Sequence, residues 1–539
     1  MRRAPLLMAA LALVLLSACH SQKTPMPTYD VGRSAVPPPP APVPPPSSGA
    51  EYGAGWIGHV AQEEPEFNTE EYGRFEENTF LRAADNPLST FSIDVDRASY
   101  ANVRRFLTSG QLPPKGAVRI EEMINYFSYD YPDPAADPFS ITTELAACPW
   151  NEQHKLLLVG LQGKRIKTAN LPPNNLVFLI DSSGSMMAPN KLDLVKDALE
   201  LLIEQLREED RVAIVTYAGS AGLVLPSTPG SDKSAIMNAI SQLEAGGSTA
   251  GGEGIQLAYK VAKENFTSEG NNRVILATDG DFNVGVTSDG ELERLIEQKR
   301  RDGVFLTVLG FGTGNLKDSK MELLADKGNG NYAYIDSLAE ARKTLVHEMG
   351  ATLLTIAKDV KIQIEFNPAR VGAYRLIGYE NRLLRKEDFN NDQKDAGELG
   401  AGHSVTALYE IIPPGGEVPN ATVDPLKYQS TAMRDGGSEL ATVKLRYKEP
   451  AGETSKLLAR AVRDAAEPMM SDNLRLAASV AELGMLLRDS EHKGSATYES
   501  VRELLGSIRI EDGEGYRHDL MTLVGQAQRL GMPESVAAK

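Results

Sequence analysis

The chain has 539 residues, of which 42% are hydrophobic and 24% charged, and its formal net charge is −17. A chain of this length and apolar content is expected to form two to four domains with buried cores. The excess of acidic residues excludes a general nucleic-acid binder, which needs a basic surface. With only two cysteines, Cys19 and Cys148, a disulfide framework is excluded as well. We expect Cys148 to be a buried small apolar residue or a modestly exposed thiol.

The first 18 residues have the pattern of a secretion signal. Arg2 and Arg3 precede an apolar run, Leu6–Leu16, that is shorter than the roughly 20 residues a membrane-spanning helix needs. The tetrapeptide Leu16–Cys19 (LSAC) resembles the bacterial lipobox. The resemblance implies cleavage before Cys19 and lipid chains on Cys19 that anchor the mature protein in the bacterial cell envelope. An ordinary secretory signal with a chance cysteine is the alternative.

Residues 19–66 are predicted to form a lipidated, proline-rich stalk. Eight of the ten residues 37–46 are proline, which favours polyproline II helix and an extension of about 30 Å. His20 follows the lipidated cysteine, where Asp would resemble an inner-membrane retention signal. We therefore expect the outer membrane, facing the periplasm, with the inner membrane or the cell surface as alternatives.

Residues 67–165 are predicted to form an α+β extension, because short runs there alternate between strand-like and helical spacing. The predicted elements are a strand at Thr90–Val95, helices at Ser99–Leu107 and Arg119–Phe127, and strands at Phe139–Ala147 and Lys155–Leu161.

Between residues 172 and 350, strands alternate regularly with helices. Leu176–Ile180 is wholly apolar, as expected for a strand buried on both faces of a parallel sheet, whereas Leu192–Leu206 has apolar residues at helical spacing. The further predicted elements are strands at Arg211–Tyr217, Arg273–Thr278, Val304–Gly310 and Tyr332–Ile335, and helices at Ser234–Leu243, Glu253–Phe266, Asp289–Arg301 and Lys317–Lys327. The alternation predicts a doubly wound α/β domain with a mostly parallel, Rossmann-like sheet.

Beyond this domain the apolar period returns to two, and residues 356–450 are predicted to be β-rich. The predicted strands are Val360–Phe366, Val405–Ile412 and Leu440–Tyr447, and residues 451–539 are predicted to be helical at Leu474–Arg488, Thr497–Ile508 and Gly515–Leu530. Because strands flank the α/β domain on both sides, we hypothesise that it is inserted into a β-sandwich built from residues 139–161 and 358–450.

Oxygen-bearing side chains follow the first apolar strand of the α/β domain. Asp181, Ser183 and Ser185 alternate in the turn after Leu176–Ile180. Ligands of open α/β sheets gather at the carboxyl ends of the strands, and hard oxygen ligands suit Mg²⁺. Thr249 follows a glycine pair just before a helix, and Asp279 directly follows the strand Arg273–Thr278.

In order and context, these five residues resemble the metal-ion-dependent adhesion site (MIDAS) of the von Willebrand factor type A (VWA) family. The resemblance implies that Ser183 and Ser185 bind Mg²⁺ directly, with Mn²⁺ or Ca²⁺ as possible replacements. Thr249 would bind directly or through water, and Asp181 and Asp279 mainly through water. An open coordination position would then accept an Asp or Glu carboxylate from a protein partner.

The resemblance extends beyond the predicted metal site. Residues from about Glu70 to Pro149 look like the N-terminal extension of bacterial VWA lipoproteins, and residues from about Lys358 to Leu530 look like their C-terminal companion. We predict a membrane-anchored, non-enzymatic envelope protein that binds a protein partner through the metal, with no small-molecule substrate evident. The alternative is an envelope scaffold in which the metal is structural or clamps another part of the chain. Glu253 is either an additional acid near the ion or, more simply, the start of a helix.

Four other motifs are incomplete. The sequence around Ser248 lacks the last glycine of a hydrolase nucleophile elbow. Gly310 and Gly312 begin a pattern like the dinucleotide fingerprint G-x-G-x-x-G, but its third glycine would have to stand at position 315, where Asn315 is found, and Gly314 precedes it. His347-Glu348 lacks the second histidine of a zinc-protease motif. Asp388, Asn390, Asp392 and Asp395 cluster in a loop, but Gln393 and Leu399 replace the Gly and Glu of an EF-hand. A polar surface loop or a weak Ca²⁺ site remains open there.

Overall fold

The computed structural model describes residues 69–167, 171–247, 251–280, 282, 289–348, 354–392, 394, 396–419, 437–450, 452–465 and 469–531. The predicted signal peptide, Cys19, the stalk, Ser248, Thr249 and Asp395 lie outside the described residues. Within these ranges no helix is long and apolar enough to cross a bilayer.

The strands and helices follow one another in chain order. The strands are β1 (Leu81–Arg82), β2 (Leu88–Ser92), β3 (Phe139–Cys148), β4 (Asn151–Gly163), β5 (Asn174–Asp181), β6 (Arg211–Tyr217), β7 (Ala221–Pro229), β8 (Asn271–Thr278), β9 (Phe305–Phe311), β10 (Tyr332–Ile335), β11 (Thr355–Phe366), β12 (Ala373–Ile377), β13 (Leu399–Gly400), β14 (Ser404–Ile412), β15 (Glu439–Lys448) and β16 (Lys456–Arg463). The helices are α1 (Ala98–Thr108), α2 (Ile120–Asn125), α3 (Leu194–Glu204), α4 (Lys233–Ser241), α5 (Gly251–Glu264), α6 (Asp289–Arg301), α7 (Asp318–Lys327), α8 (Leu338–Arg342), α9 (Asp472–Arg488), α10 (Tyr498–Gly506) and α11 (Tyr516–Leu530).

Residues 171–348, called the insert below, form a six-stranded sheet in the order β10-β9-β8-β5-β6-β7. All neighbours are parallel except β6 and β7. The chain moves from β5 to β6 on one side and later returns to β8 on the other side of β5. The carboxyl end of β5 is therefore the topological switch point, where open α/β sheets bind their ligands.

Both faces of this sheet are covered, as the apolar run in β5 predicts. Val177 and Leu179 pack with α5, α6 and α7, whereas Leu176, Phe178 and Ile180 pack with α3, α4 and α8. Successive residues of a strand point to opposite faces, so only a continuous apolar run can fill two cores.

The insert lies in the chain between β4 and β11, which belong to two further antiparallel sheets. Sheet A has the order β1-β12-β14-β4-β3, and sheet B has the order β13-β11-β15-β16 with β2 also paired to β11. Leu157 and Val159 of sheet A share one core with Ile362 and Val443 of sheet B, so the sheets pack face to face as a sandwich. The predicted fold class, a doubly wound and mostly parallel α/β domain inserted into a β-sandwich, is confirmed.

A helical layer made of α1, α2, α9, α10 and α11 covers the other face of sheet A. Leu156 and Leu158 of β4 pack there with Leu483 of α9 and Leu523 of α11. Cys148 is a free thiol buried in the same core, which agrees with the first of its two predicted environments, a buried small apolar residue. Sheet A combines strands of the predicted 67–165 extension with β12 and β14 of the predicted 356–450 segment, which lie between β1 and β4. Residues 451–539 are predicted as a helical segment, but Lys456–Arg463, which precedes its three predicted helices, is a strand of sheet B.

Candidate metal centre

Asp181, the last residue of β5, is fixed by the strands on both sides of it. Its side chain is fully buried, and Oδ1 accepts a hydrogen bond from the backbone N–H of Ser183 at 2.9 Å, which tightens the turn. Oδ2 accepts hydrogen bonds from Tyr217 Oη at 3.0 Å and Thr278 Oγ1 at 3.1 Å. Tyr217 and Thr278 end β6 and β8, so the carboxylate is held at the switch point.

The two predicted hydroxyl ligands lie side by side. Ser183 Oγ and Ser185 Oγ are 3.0 Å apart, with Ser183 buried and Ser185 exposed. Adjacent ligands of an octahedral Mg²⁺ at about 2.1 Å are separated by about 3.0 Å. The spacing and the exposure of Ser185 therefore fit a surface site for this ion.

Asp279 follows β8 and is buried beside the same turn. Its Oδ2 accepts hydrogen bonds from Lys191 Nζ at 3.0 Å and Asn315 Nδ2 at 2.9 Å. Gly280 has φ +105°, and a Cβ there would lie 2.7–2.8 Å from backbone atoms of residues 315–317. The glycine thus lets the turn after β8 touch the loop that carries Asn315.

The two carboxylates differ in their electrostatic setting. Burial raises the pKa of Asp181, and the neighbouring charge of Asp279 adds to the increase. Burial also acts to raise the pKa of Asp279, but hydrogen bonds from Asn315, Lys191 and Ser185 outweigh it and hold that pKa below its usual range. The structure thus brings Asp181, Ser183, Ser185 and Asp279 together at one edge of the sheet.

The fifth predicted residue, Thr249, lies outside the described residues, but the loop leading to it reaches this turn. Gly246 N–H donates to the Ser182 carbonyl at 2.8 Å, and Gly184 N–H donates to the Gly247 carbonyl at 3.0 Å. Gly247 has φ +86°, a conformation that favours glycine. Glu253 is exposed in the first turn of α5.

Sequence reasoning missed four residues that support the site: Lys191, Tyr217, Thr278 and Asn315. Lys191 is a buried lysine, and its side chain crosses Gly312, where a Cβ would lie 2.4 Å from Lys191 Cγ. The positions of Tyr217 and Thr278 near the site could have been predicted, since each residue ends a predicted strand next to the switch point. Nothing in the local sequence of Lys191 or Asn315 predicts their contact with Asp279.

The incomplete motifs have structural roles of their own. Gly312 makes room for Lys191, and Gly314 N–H donates to Glu70 Oε1 at 2.9 Å. Glu348 pairs with Lys343 at 2.5 Å.

In the acidic loop, Asp392 contacts Arg446 at 2.9 Å and its carbonyl accepts from Lys448 at 2.8 Å. Cations therefore already hold Asp392, whereas Asp388 accepts a hydrogen bond from the backbone N–H of Arg385 at 3.3 Å. Among the described residues, no three His, Cys, Asp or Glu side chains are grouped to hold a metal ion. The oxygen set at the sheet edge is of a different kind, because hydroxyls make up part of it.

Comparison with known families matches three successive parts of the chain. The family profile described as "von Willebrand factor" matches residues 66–158, and the profile "von Willebrand factor type A domain" matches residues 175–348. A third profile, "Uncharacterized protein YfbK, C-terminal", matches residues 351–530.

Two relatives differ in how much of this chain they share. Escherichia coli (strain K12) YfbK is 46% identical over 467 residues, which cover 85% of this chain and 80% of YfbK. Human inter-alpha-trypsin inhibitor heavy chain H3 is 30% identical over 262 residues, which cover 44% of this chain and 28% of the heavy chain. The likeness to YfbK therefore spans most of both proteins, whereas the likeness to the heavy chain is partial.

Among solved structures, a von Willebrand factor type A protein from Catenulispora acidiphila is 17% identical. The match covers 74% of this chain and 98% of that protein, with a TM-score of 0.39. BatB from Bacteroides thetaiotaomicron is 22% identical, covering 32% of this chain and 96% of that protein, with a TM-score of 0.28.

Proposed function

Because the chain belongs to the YfbK family and carries a VWA domain, we propose that it is a lipid-anchored envelope protein that binds protein partners through a divalent cation. The observation that carries the proposal is the oxygen set of Asp181, Ser183, Ser185 and Asp279 at the carboxyl edge of the sheet. Bound there, Mg²⁺ would supply an electrophilic centre for one carboxylate of a partner; Mn²⁺ or Ca²⁺ are possible replacements.

The charge of the site supports a role in binding rather than in sealing the fold. Ser183 and Ser185 are neutral, and Asp279 already shares its charge with Lys191 at 3.0 Å. A divalent cation in this setting keeps net positive charge, which an Asp or Glu side chain of a partner would neutralise. Asp279 is also held by hydrogen bonds that need no ion, so the site is organised in advance.

The anchor and the location are proposed from the sequence. The lipobox at Leu16–Cys19 and the stalk to residue 66 would hold the folded body in the envelope, with the outer membrane favoured. We propose a non-catalytic role without a nucleic-acid partner. The alternative, a scaffold with a structural metal, makes a different prediction for stability.

Metal titration of the full-length chain tests the first step. We expect saturable Mn²⁺ binding by electron paramagnetic resonance, with competition by Mg²⁺, and a loss of binding of about tenfold or more in Ser183→Ala because one direct ligand is removed. Ser182→Ala is the matched control, since Ser182 Oγ points to the Tyr217 carbonyl at 3.3 Å and is not a predicted ligand. Equal Mn²⁺ binding in wild type and Ser183→Ala would contradict the metal site.

Partner capture from envelope extract tests the second step. We expect partners to bind the full-length protein in Mg²⁺ and to be lost in EDTA and in Ser183→Ala, but to be kept in Ser182→Ala. A partner set unchanged by EDTA would refute metal-dependent binding. A melting temperature that falls steeply in EDTA while the partners stay bound would instead support the structural metal.

A further inference from the structure

A pocket of about 390 Å³ lies where the insert meets the sandwich. Its volume is within the range of about 300–1,000 Å³ that small-molecule sites occupy. Arg273 lines it at the beginning of β8, six residues before Asp279. A strand rises by about 3.3 Å per residue, so the pocket is about 20 Å from the candidate metal centre.

Arg273 is a buried cation without an acidic partner. Its side chain is only 2% exposed, and among the described residues no carboxylate forms an ion pair with it. Nη1 donates to Thr307 Oγ1 at 2.7 Å, Phe305 lies 5.5 Å from the guanidinium carbon, and Nε has no hydrogen-bond partner within the described ranges. The described residues thus give the guanidinium one hydrogen-bond acceptor, Thr307, and leave Nε buried without one.

A buried guanidinium in this setting is destabilising unless an anion or further hydrogen-bond acceptors bind it. A guanidinium removed from water without counter-charge or hydrogen bonds loses several kcal/mol of solvation. Burial accordingly lowers the pKa of Arg273 to about 10, and the charge of Glu398, which lines the same pocket, only partly offsets this. The planar fork of Arg is also the geometry that binds a carboxylate through two parallel hydrogen bonds.

Two other cations at the pocket already have acidic partners. Lys327 pairs with Glu297 at 2.8 Å, and Arg382 pairs with Asp326 at 3.1 Å. Arg382 also reaches Glu322 at 2.8 Å and Asp96 at 3.2 Å, behind the pocket wall. Lys394 also lines the pocket but is exposed to water, so the cation that is both buried and without an ion pair within the described residues is Arg273.

Asp326, which lines the same pocket, lacks a hydrogen-bond donor rather than an anion. Its Oδ2 accepts from Arg382, but Oδ1 is buried and has no donor among the described residues. A ligand that satisfied both groups would carry an anion for Arg273 and a hydrogen-bond donor, such as an ammonium group, for Asp326. Four carboxylates line the pocket, and these would repel a dianion such as phosphate: Asp94, Glu297, Asp326 and Glu398.

We propose that this pocket binds a small zwitterion of the amino-acid or dipeptide class, with its carboxylate on Arg273 and its ammonium group on Asp326. The site is independent of the metal centre, because it lies at the opposite ends of the strands. It gives the interface between the insert and the sandwich a ligand-dependent contact.

Saturation-transfer difference NMR of the full chain with glycylglycine as the probe tests the proposal. We expect a saturable signal in wild type that acetate competes for weakly and that phosphate at equal ionic strength does not. Arg273→Met should weaken binding by about tenfold or more, because the charge-assisted pair is lost. Asp326→Asn should weaken it by a smaller factor, because the amide still offers an oxygen acceptor.

Two controls separate binding from folding. Arg301→Met removes a cation from the end of α6 that is 73% exposed and outside the pocket lining, and it should leave the signal unchanged. Arg273→Met should melt no lower than wild type, since an unpaired buried charge is removed. If that variant fails to fold, Arg273→Lys keeps the charge without the fork and should still lose most of the binding.

The outcomes are decisive in both directions. No signal in wild type, an equal signal in Arg273→Met and wild type, or competition by phosphate as strong as by glycylglycine would overturn the proposal. Loss of the signal in Arg273→Met with retention in Arg301→Met would establish it.

Discussion

Lys191 places a positive charge inside the candidate metal centre, which is the least expected feature of the site. Its Nζ is 3.0 Å from Asp279 Oδ2 and 3.2 Å from Asn315 Oδ1, and it contacts no other predicted ligand among the described residues. The ammonium group therefore offsets one of two carboxylates without standing between the serines. This lowers the negative charge available to a cation and raises the charge left for a partner.

Replacement of Lys191 tests this balance. In Lys191→Met we expect Mg²⁺ to bind about tenfold more tightly, because removal of a nearby repulsion worth ~1.4 kcal/mol changes affinity by that factor. Without metal the variant should melt at a lower temperature, because Asp279 loses a counter-charge while buried. Isothermal titration and thermal melting measure the two effects. Lys196→Met, whose side chain lies 4.0 Å from Asp193, is the control, and an Mg²⁺ affinity unchanged by Lys191→Met would contradict the argument.

At this scale the sequence was informative for residues that follow strands. Asp181, Ser183, Ser185 and Asp279 could be predicted, because parallel strands end at one edge and the motif supplies the order. Lys191 and Asn315 could not, because each reaches Asp279 across more than 30 residues of chain through a loop. The position of the Lys191 ammonium group depends on the folded structure, in which Gly312 leaves space for the lysine side chain.

At the scale of elements, strands with buried apolar residues were predictable, including the edge strands β3 and β10, whereas strands without such a pattern were not. β7 and β16 are edge strands: no residue of β7 is buried and only one of β16 is, so neither has an alternating apolar pattern. β7 also contains Pro226 and Pro229, which an edge strand tolerates because one side needs no hydrogen bonds. β12 is buried, but Arg375 in its centre concealed it, and the charge is matched by Glu410 at 2.9 Å.

The close packing of α5 against β6 is expected to affect both the stability of the fold and metal binding at the candidate site. A Cβ at Gly254 would lie 2.8 Å from Tyr217 Cβ and 3.2 Å from Leu179 Cδ1. Alanine is the better helix former by ~1 kcal/mol, yet Gly254→Ala should destabilise the fold by about 1–3 kcal/mol because the helix must move from the strand. Displaced Tyr217 would also release Asp181 Oδ2 and weaken Mn²⁺ binding.

Denaturant unfolding and Mn²⁺ titration measure both consequences. Gly506→Ala is the matched control, since it changes a helical glycine in α10 with nothing within 4 Å of the added Cβ. We expect that control to be neutral or slightly stabilising. Equal stability of the two variants would show that α5 and β6 have room to spare.

At the scale of the whole molecule, α1 joins the insert to the rest of the fold. Ala98 and Ala101 belong to the core of the insert, whereas Tyr100, Val103 and Leu107 belong to the core of the helical layer. Insertion into a sandwich was predictable, since strand-like patterns flank the α/β pattern. That the tail helices cover sheet A beside α1 was not, because the spacing of apolar residues does not identify the surface they cover.

A buried ionic cluster also links the helical layer to the insert, and its contribution to stability can be measured. Arg119, 4% exposed, pairs with Glu122 in α2 and with Asp318 at the start of α7, where Nη1 and Oδ2 are 2.5 Å apart. Asp318 also accepts from Tyr332 Oη at 3.0 Å. Arg119→Met leaves two buried carboxylates without a counter-charge, and we expect a loss of about 3–5 kcal/mol in the free energy of unfolding.

A second substitution distinguishes charge from lost packing. Adding Asp318→Asn to Arg119→Met should recover part of the stability, because one uncompensated charge disappears while the side-chain volume stays the same. Arg165→Met, which removes an ion pair to Asp133 with both side chains more than half exposed, should cost less than about 1 kcal/mol. Differential scanning calorimetry of the full chain gives the three values. If Arg119→Met cost no more than Arg165→Met, the cluster would not couple the insert to the helical layer, and apolar packing along α1 would have to hold them together alone.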